Sequence, residues 1–205
     1  MGSEMCIRDS DTIDHDIVLT RLNLTFGIRG RALEWFISYL QGRMQAVSID
    51  GCLSDKVALS CRVPQGSVLG PILFTMYTQP LSDLIHNHAC DHHKYADDTQ
   101  LSKGAPVSLF HSALSDVENC IESIVFWMQR NKLKLNTEKT EVLPVGSDAQ
   151  LCSINQNSTS TAGKSVTFQS SVKDLGIHID QTLSMKDQRL VSSVELPTLR
   201  CGGSL

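Results

Sequence analysis

Two adjacent aspartates end the stretch Tyr95-Ala96-Asp97-Asp98, which follows Lys94 and runs on into Thr99-Gln100-Leu101. Neighbouring side chains on a strand point to opposite faces, so both carboxylates can serve one site only if the chain turns there. The stretch therefore predicts a tight hairpin, with the Asp pair at its tip and Lys94-Tyr95 and Gln100-Leu101 as its arms. A carboxylate pair displayed at such a tip suits a hard cation such as Mg²⁺, which keeps several waters and takes phosphate oxygens as further ligands. For the tetrapeptide alone, a solvated turn made of turn-favouring aspartates is the alternative reading.

At 205 residues, 41% hydrophobic and 20% charged, the chain is long enough for one domain with a sizeable core. No apolar run is long enough to span a bilayer, and no charged segment leads into an apolar signal stretch, so no membrane partner is expected. The net charge of -4 is unexpected for a protein that holds a polyanion, although it leaves room for a local basic groove. The seven cysteines are dispersed, odd in number and without C-x-x-C spacing, which argues against a disulfide framework and a zinc ribbon. Reduced thiols in a cytoplasmic or nuclear protein are the default.

Periodicity predicts a mostly buried helix over 16–26 and an amphipathic one over 31–40, where Leu33, Phe36, Ile37 and Leu40 share a face and Gly42 stops it. Runs 45–50 and 56–61 predict a hairpin around Asp50-Gly51 with a loop longer than two residues. A helix is expected over 69–85, with Pro71 tolerated in its first turn and Pro80 kinking or ending it. The best helical pattern covers 108–130 through Leu109, Leu114, Val117, Ile121, Ile124 and Met128. Residues 143–145 read as a short strand, 152–161 as a Ser/Thr/Asn-rich loop, and 166–168 with 175–179 as a last hairpin.

Two more segments flank the aspartates: Val63-Pro64-Gln65-Gly66-Ser67-Val68-Leu69-Gly70-Pro71-Ile72-Leu73-Phe74 before them, and Asn131-Lys132-Leu133-Lys134-Leu135-Asn136-Thr137-Glu138-Lys139-Thr140-Glu141 after. With Asp11-Thr12-Ile13-Asp14-His15 upstream and Val172-Lys173-Asp174-Leu175-Gly176-Ile177 downstream, their order resembles the reverse transcriptase of a non-LTR (LINE-type) retrotransposon. The resemblance covers roughly residues 11–187; it leaves residues 1–10 as a non-native or scar segment and 188–205 as an unstructured tail. It implies an α/β fold of the α+β type: a polymerase palm-like antiparallel sheet carrying the aspartates and backed by the helices at 31–40, 69–85 and 108–130, with fingers missing and thumb incomplete.

The same resemblance implies an RNA-directed DNA polymerase using Mg²⁺ (or Mn²⁺), an RNA template, a DNA primer and a deoxynucleoside triphosphate. Asp97 would bind metal directly and Asp98 would be the second acid, with the cations relieving their repulsion. Gln65 and Gly66 would approach the nucleotide, Tyr95 and Ala96 would flank the primer end, and Lys139 would lie near the triphosphate. Lys132, Lys134 and Lys139 could form a modest phosphate-contacting patch. The sequence departs from the family upstream: Met5 stands where a third metal-binding aspartate belongs, and Ser10 where a bulky aromatic excludes the ribose 2′-hydroxyl. Asp9 is nearby but out of register, and one step along a strand reverses the face. The expectation is thus a reverse transcriptase fragment inactive as this chain.

Two other classes compete. One is a non-catalytic retroelement remnant that at most binds nucleic acid or protein. The other is a zinc-binding module built from the His86–His93 tract, whose His86, His88, Cys90 and His92 would share one face of an extended chain.

Overall fold

The computed structural model describes residues 13–63, 67–96 and 98–184, together with the backbone of 199–200. The chain forms two compact units that divide between Pro80 and Leu81.

The first unit begins where Asp14 caps helix α1 (His15–Leu24), its Oδ1 accepting a hydrogen bond from the Ile17 amide at 3.1 Å. One face of α1 buries His15, Val18 and Leu22. Leu24 is 74% exposed because it falls off that stripe, so the helix is less buried than expected. Helix α2 (Gly30–Leu40) follows the expected periodicity, with Leu40 fully buried and Leu33, Phe36 and Ile37 partly so. Gly42 adopts φ 70° just beyond the helix end.

The hairpin around Asp50-Gly51 is tighter than expected. Strands β1 (Met44–Gln45) and β4 (Val57–Ala58) pair on the outside, and β2 (Ser48–Ile49) and β3 (Cys52–Leu53) on the inside. The loop is the two residues Asp50 and Gly51 alone, with φ 48° and 80°, the left-handed pair that an Asp-Gly turn favours. Between the two ladders, Ser54 donates its amide to the Val47 carbonyl while its hydroxyl accepts from the Val47 amide, both at 2.9 Å.

Helix α3 (Leu69–Asn87) runs through Pro80, which the sequence reading expected to kink or end it. Proline inside a helix costs ~3 kcal/mol. Tyr77, Leu81 and Ile85, one turn apart on either side of it, are each essentially buried, and each such side chain contributes ~1.5–3 kcal/mol. Burial therefore outweighs the missing hydrogen bond.

In the second unit, β5 (Asp91–Tyr95) and β6 (Asp98–Ser102) pair antiparallel, and β11 (Leu199–Arg200) adds to the other edge of β6. The rest of 188–205 lies outside the described residues, as do residues 1–10. A 3-10 turn (Val107–Leu109) leads into α4 (Phe110–Arg130), which buries Cys120, Ile121, Ile124 and Met128.

Three expectations fail after α4. Residues 143–145 form no strand: only Val142 makes a bridge, parallel to Phe168, and Pro144 offers no amide to extend it. The supposed loop 152–161 holds the end of α5 (Asp148–Cys152), started by a Ser147/Gln150 capping box, and strand β7 (Ser158–Thr161). The supposed last hairpin is two hairpins. Strand β7 pairs with β8 (Lys164–Thr167) around Ala162-Gly163, and β9 (Ser171–Asp174) with β10 (Ile177–Asp180) around Leu175-Gly176. Both turns have positive φ at both residues. The described fold is α+β, with short antiparallel strands throughout. No helix among the described residues is long and apolar enough to cross a membrane.

Candidate active site

Tyr95 pairs directly with Asp98, so only Ala96 and Asp97 separate the arms of the β5–β6 hairpin. Ala96 has φ 53°, a left-handed conformation that costs an alanine ~1–2 kcal/mol. Asp97 lies outside the described residues. Asp98 is the first residue of β6, half-buried, and its backbone is flanked by Tyr95 of β5 and Arg200 of β11. A carboxylate on the middle strand of three is held by ladders on both sides.

The two faces of the hairpin differ. Lys94 and the buried Thr99 pair on one face, with His92 and Leu101 beyond them. Tyr95, 62% exposed, and Asp98 share the other face with His93 and Gln100. Burial, and then the neighbouring Lys94 cation, hold His92 below the ordinary imidazole range.

Lys139 belongs to the same unit as this hairpin. It is exposed in a turn organised by Asn136, whose carbonyl accepts from the Lys139 amide at 3.2 Å and the Thr140 hydroxyl at 3.0 Å. Its neighbour Glu138 forms an exposed ion pair with Lys164 at 3.6 Å. Of the expected patch, Lys132 and Lys134 are also exposed. Gln65 and Gly66 lie outside the described residues, as do Met5, Asp9, Ser10, Asp11 and Thr12.

The upstream Ile13-Asp14-His15 has a role that the sequence reading missed. Asp14 bridges Cys61, the Ile13 carbonyl accepts the Arg62 amide at 3.0 Å, and the His15 Nε2 bonds the Arg62 carbonyl at 2.8 Å. Both backbone polar groups of Arg62 are thereby held, and Arg62 has φ 83°. The sequence carried one usable signal, an aspartate directly before a helical stretch. These contacts fix the chain two residues before Pro64-Gln65-Gly66. The Ser67 hydroxyl, just after that segment, bonds Tyr39 Oη at 2.5 Å and accepts the Leu69 amide at 3.1 Å.

The zinc geometry does not form. His86 is in the last turn of α3, Ala89 turns the chain with φ 51°, Cys90 is buried and His92 is on β5. A helix-to-strand break replaces the extended tract, and no group of three His, Cys, Asp or Glu among the described residues is disposed to hold a metal. Near the turn of the hairpin, Asp98 is the described carboxylate. That chemistry fits a hard divalent cation whose remaining ligands are water and phosphate.

A fold of this class, with an acidic two-residue hairpin loop, meets a definite family. Residues 11–179 match the family model of reverse transcriptase (RNA-dependent DNA polymerase), and the chain belongs to that family. It is similar to the RNA-directed DNA polymerase from mobile element jockey of Drosophila melanogaster, 26% identical over 152 residues, which is 72% of this chain and 16% of that protein. The probable RNA-directed DNA polymerase from transposon BS of the same species is 32% identical over 108 residues, 50% of this chain and 12% of that protein. The X-element counterpart is 29% identical over 105 residues, 50% of this chain and 11% of that protein. The chain is a reverse transcriptase segment of the non-LTR retroelement kind, and its matches span less than a fifth of the length of these relatives.

Proposed function

We propose that this chain carries the catalytic hairpin and part of the nucleotide-binding surface of an RNA-directed DNA polymerase. The observation that carries the reading is the Tyr95–Asp98 pair closing a two-residue Ala96-Asp97 loop inside a chain matched to the family over 11–179. In this reading β5, β6 and the helices belong to a palm-like domain, and its partners are an RNA template, a DNA primer and deoxynucleoside triphosphates.

Asp97 and Asp98 are the proposed metal-holding carboxylates, with Mg²⁺ the proposed ion and Mn²⁺ its substitute. When bound, such ions activate the attacking 3′ oxygen and stabilise the leaving pyrophosphate. The chain's own residues position the reactants. Tyr95, exposed beside Asp98, and Ala96 flank the primer end. The Gln65-Gly66 segment is the proposed nucleotide contact; Arg62 before it and Ser67 after it are each hydrogen-bonded. Lys139, exposed and in a turn, is in this reading the residue that meets the triphosphate and hands a proton to pyrophosphate.

A chimera tests this. Residues 91–102 replace the matching hairpin of the jockey polymerase. Primer extension on an RNA template is expected to persist, and to fall at least 100-fold with Asp97→Asn or Asp98→Asn, since ~2.7 kcal/mol of lost transition-state stabilisation has that effect. A folded chimera that never extends a primer, or one indifferent to both substitutions, would overturn the reading.

A further inference from the structure

The second unit holds a pair of thiols that the catalytic reading does not use. Cys90 directly precedes β5, and Cys120 stands in the middle of α4. Both are buried, at 2% and 0% exposure, and the Cys120 thiol is hydrogen-bonded to the Cys90 sulfur. The Cys90 thiol in turn donates to the His88 carbonyl, 3.6 Å away, which leaves its sulfur lone pairs to face Cys120. The Lys103 ammonium is near enough to act on both thiols, and it is held by an ion pair with Asp116 of α4 at 2.9 Å.

Two sulfurs that already touch, neither of them in a disulfide, have a ready covalent outcome. Burial does not prevent it. Burial keeps out bulky reagents, but hydrogen peroxide is little larger than water and needs to reach only one sulfur. That sulfur is Cys90. Burial, and then Cys90 itself, keep Cys120 protonated, with its thiol pushed up to about 12. The Asp116 hydrogen bond, and behind it the two thiols, hold Lys103 above the ordinary lysine range, so it stays a cation beside the sulfurs.

We propose that Cys90 and Cys120 form a reversible disulfide site, closed by hydrogen peroxide, that staples the start of the β5–β6 hairpin to α4. In the first step the Cys90 sulfur bonds to one peroxide oxygen as the O–O bond breaks. The departing hydroxide takes the Cys90 proton and leaves as water. In the second step the Cys120 sulfur attacks the Cys90 sulfenic acid. The S–S bond forms, the S–O bond breaks, and the hydroxide leaves as water with the Cys120 proton, its charge stabilised by Lys103. The two thiols lose two electrons, and one peroxide is reduced to two waters. A small thiol in excess reopens the bond by exchange. The closed loop, residues 90–120, contains the whole hairpin. The proposal does not depend on the polymerase reading.

The test is peptide mapping of the full chain after brief exposure to stoichiometric hydrogen peroxide, quenching with catalase and alkylation in denaturant. The expected product is a pair of peptides joined through Cys90 and Cys120, lighter by two hydrogen atoms than the separate peptides. Dithiothreitol should abolish it. Cys52→Ser with Cys152→Ser removes exposed thiols that would otherwise exchange into the bond. In Cys120→Ser, dimedone should trap the sulfenic acid at Cys90. Lys103→Met should slow closure roughly tenfold or more, whereas Lys103→Arg keeps the cation and most of the rate. The oxidised chain should melt ~5–10 °C above the reduced one. Circular dichroism confirms that each variant is folded, and the mapping itself needs no substitution. Peroxide that oxidises Cys52 and Cys152 but leaves Cys90 and Cys120 reduced in the folded chain would overturn the proposal, as would a bond that forms only in denaturant. Closure at an unchanged rate in Lys103→Met would overturn the role given to Lys103.

Discussion

At the scale of single residues, the site depends on an alanine in a conformation that alanine resists. Ala96 at φ 53° is the described residue of the turn between Tyr95 and Asp98. Glycine adopts that region without a Cβ clash, so Ala96→Gly should relieve strain. Part of the gain is offset because glycine is freer in the unfolded chain. The expected net effect is a stabilisation of up to ~1 kcal/mol in urea unfolding, and Ala96→Val should destabilise by at least as much. Destabilisation by glycine would show that the turn is not left-handed in solution. The same residue explains what could be read in advance. Adjacent aspartates between alternating residues revealed the hairpin, but nothing in an alanine reveals a positive φ. Leu175 at φ 45° and Ala162 at φ 51° are similarly poor turn residues by type, and there the reading missed both hairpin turns. At Asp50-Gly51 the residue types match the turn, and its position was legible although its length was not.

At the scale of elements, periodic apolar positions were enough to find α2 and α4, because burial on one face is what makes those helices stable. Strand β7 was hidden by its composition. Its Ser-Thr-Ser-Thr sequence reads as a loop, yet Thr159 and Thr161 are buried. The Thr159 hydroxyl and the Ser160 amide both donate to the Glu118 carboxylate of α4, a partner 41 residues away from Thr159 that local propensity cannot anticipate. The core of α4 also makes a testable claim about thiols. Cys120 is fully buried against Cys90, and burial, then the neighbouring Cys90, pushes its thiol up to about 12. Cys52 and Cys152 are exposed. Iodoacetamide at pH 8 followed by mass spectrometry should alkylate Cys52 and Cys152 in the native chain and spare Cys90 and Cys120 until denaturant is added. Equal labelling of all four would mean that the α4 core is open in solution.

At the scale of the whole molecule, family and chemistry are separate questions. The motif order read from the sequence agrees with the family match over 11–179. The proposed metal site needs a third carboxylate, and position 5, where the resemblance implies it, is methionine. We expect the 205-residue chain not to extend a DNA primer on an RNA template in Mg²⁺ above background, because each ~1.4 kcal/mol of lost transition-state stabilisation is a factor of ten. Template-dependent extension that disappears in Asp97→Ala would contradict this and would assign the missing ligand to Asp9 or another nearby carboxylate.

The central claim, that the tip of the β5–β6 hairpin holds a divalent cation, can be measured without turnover. Paramagnetic Mn²⁺ titrated into the isotopically labelled chain broadens the amide signals closest to where it binds. Tyr95, Ala96 and Thr99 should broaden first, excess Mg²⁺ should restore them, and Asp97→Asn or Asp98→Asn should abolish the effect. Broadening that begins elsewhere, or that is unchanged in both variants, would contradict the assignment of this hairpin as the metal site.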